Sequence, residues 1–384
     1  MKTALGMITR SIDSDTELMG FVENAEKYGH KLDCVIVAYT HTHDPKVEYN
    51  ISKKVPYFAV NINNPHYSKE QMQARGVPEA AEKVLLECPV DTKRGLVPYG
   101  FNRMMVVMEA ILRDMDTLFF IDSDVYPRVL KRKDNKLMLE DIDFFGAHFK
   151  HLNTGSEVTT GEYSGYNILP PATFEGMEDL LIGVQKPDML EYWQTSNLHR
   201  CLVTQPDEII SKPCKKVLGG NMAIKLSAFA KLPPFFSSHY VADGELYLCR
   251  GEDTTLGLGI AQTGMKCTDI GLNPLHDTYK DYPVEPDLQN DKAVQDRFYY
   301  ACTGWIGRNP LLNHILGNDI KETRRHQREH LERGLRALSN YTGNSIYNGI
   351  INNFDISWDS VGRYINEFDQ VSDAWDSFRK GVNL

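Results

Sequence analysis

The sequence predicts an α/β fold: a mainly parallel, mixed sheet flanked by helices, with a helical appendage at its C-terminal end. Two patterns lead to it. Over the first 150 of the 384 residues, short apolar runs rich in strand formers alternate with stretches of helical spacing, as consecutive β–α–β units do. Beyond about residue 300 the strand-like runs cease and charged, amphipathic spacing takes over. The expected organisation is an α/β domain over residues 1–300 and a helical extension over 301–384 packed on it.

In chain order, TALGMIT (3–9), LDCVIVAY (32–39) and YFAVNI (57–62) read as strands. Between the first two, SDTELMGFVENAEKYG has helical spacing, with Ser14 or Asp15 as its N-cap. SKEQMQARGVPEAAEKVLLE (68–87) is helical with a break near Gly76-Val77-Pro78. FNRMMVVMEAILRD (101–114) places Met105, Met108, Ile111 and Leu112 on one helical face. TLFFI (117–121) is a strand, and DIDFFGAHF (141–149) predicts another. Residues 150–215 are irregular apart from a helical stretch at MEDLLIGV, and loops this long are often functional. VLGGNMAIKL (217–226) reads as a strand with a glycine pair inside it. EDTTLGLGIAQTG (252–264) reads as a helix stopped by Gly264, and MKCTDI (265–270) as a strand. KETRRHQREHLERGLRALSN (321–340) is a charged amphipathic helix with Leu331, Leu335 and Leu338 as its stripe.

The net charge of −10 argues against general nucleic-acid binding, which shows a basic footprint, yet leaves room for a local basic pocket. Seven cysteines (34, 88, 201, 214, 249, 267 and 302) include no CxxC pair, a pattern that suits a reducing interior. The apolar run before Arg10 and Asp13 is too short for a signal peptide, and no run approaches the roughly 18 apolar residues of a membrane span. A soluble cytoplasmic protein is the expectation. The six Lys/Arg against three Glu of 321–340 leave open peripheral contact with an anionic lipid or polymer, although a solvated helix face is the simpler reading.

In sheets of this kind, ligands bind beyond the carboxyl ends of the strands. LFFIDSD (118–124) ends there in Asp122 and Asp124. Two carboxylates at i and i+2 in a turn reach one divalent cation, and Mg2+ and Mn2+ prefer oxygen ligands while keeping positions open for substrate phosphates. Plain turn capping explains the same pair. Three further features lie downstream, each with a structural alternative. Gly219-Gly220-Asn221 suggests close approach of a ligand to backbone, or a β-bulge. Glu252 and Asp253 open a helix, where acids favour the macrodipole. His276, in GLNPLHD, follows a strand in a Pro-containing loop and is either a ligand or a structural histidine.

In their order and spacing, LFFIDSD, LGGNMAI, GED and His276 resemble a GT-A glycosyltransferase, the nucleotide-sugar-dependent, Rossmann-like fold with a D-x-D metal site. The likeness covers about residues 3 to 280. It implies that residues 1–300 are the catalytic domain, and that Asp122, Asp124 and His276 hold Mn2+ or Mg2+. It implies a nucleotide-sugar donor, a UDP-sugar rather than a GDP-sugar, with Asp122 and Ser123 on the donor. The donor sugar would lie against Gly219 and Gly220, with a hydrogen bond from Asn221. Asp253 would be the inverting family's base, taking the proton of the acceptor hydroxyl, and Glu252 would help place that acceptor, a carbohydrate, polymer or small molecule. Thr9 and Arg10 at the end of the first strand, and Asn102 and Arg103 at a helix start, are candidates for base and phosphate contacts. Arg103 reads equally well as a surface cation.

The first strand lacks the Pro-x-Tyr-Asn type of ending common in many members, which weakens Thr9 and Arg10. Retaining members have no dedicated base, so Asp253 depends on the inverting course. His148, Lys150 and His151 could touch the acceptor, but a surface loop is the preferred reading. A sugar-phosphate nucleotidyltransferase is the enzymatic alternative, demoted because LGMITRSIDS lacks a Gly-rich basic loop. The stretch Gly95 to Gly100 is no P-loop, since no Gly-Lys-Ser/Thr follows. A carbohydrate-binding protein on a degenerate transferase fold is the non-enzymatic alternative, and it predicts a broken acidic pair where both are intact.

Overall fold

The computed structural model describes residues 1–92, 96–134, 136–165, 169–194 and 202–384. Gly95 and Cys201, which figure in the sequence patterns above, lie outside that set. The first stretch runs β1 (Thr3–Thr9), α1 (Thr16–Lys27), β2 (Cys34–Tyr39), α2 (Pro45–Ser52), β3 (Tyr57–Asn61), α3 (His66–Ala74), α4 (Glu79–Leu86), α5 (Tyr99–Leu112) and β4 (Thr117–Asp122). It continues with β5 (Val125–Lys133), β6 (Lys136–Asp141), α6 (Phe144–Leu152), β7 (Val158–Thr160), α7 (Met177–Gly183), α8 (Pro187–Gln194), β8 (Lys212–Pro213) and β9 (Asn221–Lys225). Then come β10 (His239–Ala242), β11 (Glu245–Leu248), α9 (Glu252–Thr263), β12 (Cys267–Asp269) and β13 (Pro274–His276). Four helices close the chain: α10 (Lys292–Ile315), α11 (Ile320–Thr342), α12 (Ile350–Asp359) and α13 (Val361–Gly381).

The main sheet has the order β3-β2-β1-β4-β9-β7-β12-β8. Strands β1 to β4 pair in parallel, while β9 runs antiparallel between β4 and β7. Because β1 to β3 step outward on one side and β4 returns on the other, the strand order reverses between β1 and β4, where α/β sheets open a crevice. Alternate side chains of β4 enter two cores. Leu118 and Phe120 join Met105 and Met108 of α5, whereas Phe119 and Ile121 join Phe144 and Phe145 of α6. The stripe Leu331, Leu335 and Leu338 is buried with Leu180 and Trp305 in a third core between α7, α10 and α11. Helix α10 runs through the expected boundary at 300/301.

Three sequence expectations change. Residues 141–149 are not a strand: β6 ends at Asp141, and Asp143 caps α6 by accepting from Gly146 N at 2.8 Å. Phe144, Phe145, His148 and Leu152 are buried at helical spacing, which a short apolar run does not distinguish from a strand. The glycine pair lies in the turn before β9 rather than inside a strand, since β9 begins at Asn221. His276 is the last residue of β13, opposite Val125 of β5, rather than part of a loop.

Candidate functional site

A cleft of about 730 Å³ opens at the carboxyl ends of β1 and β4. Thr9, Arg10, Asp122, Ser123 and Asp124 line it from the sheet. Gly219, Glu252, Asp253, Arg103 and His276 line it from the surrounding elements. Ten of the thirteen sequence-predicted site residues therefore meet in one space; Asn102, Gly220 and Asn221 are not on its wall.

At one end, His276 Nε2 lies 3.2 Å from Asp124 Oδ1 and 3.7 Å from Asp122 Oδ2. The β13–β5 pairing sets this meeting, since it lays His276 beside the turn that leaves β4. His276 is 2% exposed, and Thr278 Oγ1 engages its Nδ1 at 2.8 Å, which turns Nε2 toward the carboxylates. The Tyr163 ring packs 4.9 Å from the imidazole. Adjacent ligands on an octahedral Mg2+ or Mn2+ stand about 3 Å apart, so these donors have the right chemistry and nearly the right spacing. Among the described residues no three His, Cys, Asp or Glu form a ready-made cage. As it stands the trio is closed by the His276–Asp124 contact.

The other acids are organised by Arg103, which is 4% exposed. Its Nε donates to Glu252 Oε1 (3.1 Å), Nη1 to Gly219 O (2.7 Å) and Nη2 to Asp122 Oδ1 (2.8 Å). Burial works against the guanidinium charge, but the carboxylates of Asp122, Glu252 and Asp253 outweigh it and raise its pKa. Burial likewise pushes the Asp122 carboxyl up, yet Arg103 and His276 together hold it well below the usual carboxylate range. Asp124 is held above its ordinary value by burial and by Asp122, against the pull of His276 and Arg297. Glu252 is raised by burial and by Asp253. Asp253 is half-buried at the N-terminus of α9, where its Oδ1 accepts from Thr254 N at 2.7 Å.

The reading of Arg103 as a surface cation is thus corrected, because it is an internal bridge between two acidic motifs. The glycine pair has a local cause as well. A Cβ at Gly219 would stand 2.4 Å from the Arg103 guanidinium, and one at Gly220 would stand 2.4 Å from Asp122 Oδ2. Both positions must be bare to seat those side chains. Asn221 does not reach the cleft: Nδ2 donates to Glu162 O (2.9 Å) and Leu272 O (3.1 Å), and Oδ1 faces His148 Nε2 (3.2 Å). Asn102 is fully buried in the second turn of α5, away from any phosphate in the cleft. His148 is no surface-loop residue; it is buried on α6 between Asn221 and Thr159 Oγ1 (2.8 Å). Thr9 faces the cleft, with its hydroxyl donating to Ser11 O at 2.9 Å.

Sequence reasoning missed the far wall. Lys186, Arg250, Arg297, Trp305 and Arg308 line the cleft, three of them from α10. Gly251, at φ +95°, lets this wall close on the acids, since a Cβ there would lie 2.2 Å from Arg308 Cδ. Nothing in the local pattern of α10 marks these residues, because only tertiary packing brings them to the site.

No protein-family model matches the chain, and no curated protein sequence is similar to it. Among solved structures, it is similar to glucosyl-3-phosphoglycerate synthase from Mycobacterium tuberculosis in complex with Mn2+, uridine-diphosphate-glucose and phosphoglyceric acid. That likeness has 13% identity and a TM-score of 0.40, covering 83% of this chain and 80% of the other. A further structure, described as a mycobacterial protein, is 12% identical with a TM-score of 0.41, over 83% and 75% of the two chains. Likeness this distant decides nothing about the chemistry of this chain, which rests on its own residues.

Proposed function

We propose that this chain is a metal-dependent glycosyltransferase of GT-A architecture. It would move a sugar from a nucleoside-diphosphate donor, a UDP-sugar rather than a GDP-sugar, to a hydroxyl acceptor with inversion. The meeting of Asp122, Asp124 and His276 at the sheet's switch point carries this reading. These three side chains would hold Mn2+ or Mg2+, which would supply charge neutralisation for the departing diphosphate. Arg103 keeps Asp122 ionised and locks it to Glu252, so the metal end and the acceptor end move as one unit. Asp253, half-buried on the cleft wall at the start of α9, takes the proton of the acceptor hydroxyl. Thr9 and Arg10 serve the nucleotide side of the cleft. On the other wall, Lys186, Arg250 and Trp305 suit an acceptor that pairs an anionic group with an apolar surface.

Calorimetric titration with UDP and with GDP, each with and without Mn2+, tests the reading. The wild type is expected to bind one of them at least about tenfold more weakly without the metal, and Asp124→Ala to abolish that dependence. Absence of metal-dependent nucleotide binding, with Asp124→Ala indistinguishable from wild type, would sink the proposal. In turnover, a product of inverted configuration that disappears with Asp253→Asn supports the base; full activity in that variant removes it.

A further inference from the structure

We propose that Arg297, on the first half of α10, is the cation that receives the donor's diphosphate; this rests on the glycosyltransferase reading. Arg103, the arginine that contacts both acidic motifs, is turned inward. Its Nε, Nη1 and Nη2 each donate to the protein, and two carboxylates balance its charge. A diphosphate arriving beside Asp122, Asp124, Glu252 and Asp253 meets four acids, and the guanidinium bonded to two of them is already balanced. A divalent ion offsets part of that excess, and a second cation is needed to hold the leaving group.

Arg297 is placed to be that cation. It lines the same cleft, and its Nη1 donates to Thr278 O at 3.1 Å. Thr278 is the residue whose hydroxyl fixes His276, so one short link ties the arginine to the metal trio. The guanidinium carbon stands 5.2 Å from the centre of the Tyr279 ring, which adds a second constraint on its orientation. Its Nε is buried and has no acceptor among the described residues, so the protein leaves part of the donor fork unused. An arginine held by a carbonyl and a ring, with no carboxylate bound to it among the described residues, keeps its charge available for phosphate oxygens. As the glycosidic C–O bond breaks, its electron pair passes to a β-phosphate oxygen; the acceptor oxygen bonds the anomeric carbon, and its proton goes to Asp253. Arg297 faces the charge that appears on the phosphate.

The test compares nucleoside diphosphate with monophosphate at saturating Mn2+. UDP against UMP, and GDP against GMP, are titrated into wild type, Arg297→Gln and Arg297→Lys, with thermal melts as the check on folding. Wild type should prefer the diphosphate. Arg297→Gln should weaken diphosphate binding by about tenfold to a hundredfold and leave the monophosphate unchanged. Arg297→Lys, which keeps the charge without the fork, should fall between, and it decides the matter if the glutamine variant does not fold. A wild-type preference for diphosphate in these variants overturns the assignment and leaves the glycosyltransferase reading intact. A wild type that binds neither UDP nor GDP overturns both.

Discussion

The cleft and the outer face of α11 are both crowded with ion pairs, but water treats them differently. In the cleft, the nearly buried Arg103 bridges the nearly buried Glu252 and the partly exposed Asp122. On α11, Arg324 and Arg328 pair with Asp355, Arg325 with Glu322, Arg333 with Asp179 and Arg336 with Glu332, through arginines that are about a third or more exposed. A buried pair is costly to break because one charge is left unpaired in a poor solvent. Exposed pairs are near neutral, because water replaces the lost partner. His148 shows a third solution: it is fully buried and kept neutral, its pKa pushed down to about 3 by burial. Charge in this molecule is thus compensated, suppressed or hydrated according to depth, and the compensated cluster lies in the cleft.

The largest effect expected from breaking this pattern is at Arg103. Arg103→Leu should lose about 3 kcal/mol in urea denaturation at neutral pH, because the nearly buried Glu252 is left without its cation and Asp122 loses its partner. The loss should ease on acidification. Glu252 is held above its ordinary value, so it takes a proton in the folded chain first, which lifts the cost of its burial as the pH falls. A loss under about 1 kcal/mol would mean that water already reaches these carboxylates. His148 is next, and the sign follows from its lowered pKa. The unfolded chain protonates it near its ordinary value of 6.5, whereas the folded chain resists until about pH 3. Its contribution is therefore complete above pH 6.5 and is lost as the pH falls, by about 2 kcal/mol at pH 5. His148→Phe should flatten the stability profile between those two pH values. An unchanged slope would place the titrating group elsewhere.

The same depth-dependence explains what could be read in the sequence. Strands β1, β2 and β4 were legible because parallel strands buried on both faces are continuous apolar runs. The acids at the end of β4 were legible because a charge there breaks the run. The β5–β6 hairpin was not, since Lys131, Arg132 and Lys133 carry its exposed end and blur the alternation. Helix α6 was mistaken for a strand because its apolar run is too short to reveal a period. Within the site, the motif residues Asp122, Asp124, Asp253 and His276 were legible as types. Their partners were not: the bridging role of Arg103 depends on Gly219 and Gly220 being bare beside it. Arg297 and Arg308 look like any helix-surface charge until α10 is docked.

The smallest expected effect is on α11, and it sharpens the contrast most directly. Arg328 reaches Asp355 through Nε at 3.0 Å and Nη2 at 3.0 Å, a fork as well formed as many buried ones. By geometry alone it rivals Arg103. Its side chain, however, is 43% exposed, and Asp355 keeps Arg324 as a second partner. Arg328→Ala should therefore lose less than about 1 kcal/mol, and less still at about 1 M salt, where screening reaches such pairs. The helix should stay in place because Leu331, Leu335 and Leu338 anchor it from beneath. A loss matching that of Arg103→Leu, insensitive to salt, would mean that geometry rather than desolvation sets the value of an ion pair here. The distinction drawn between the cleft and the surface would then fall.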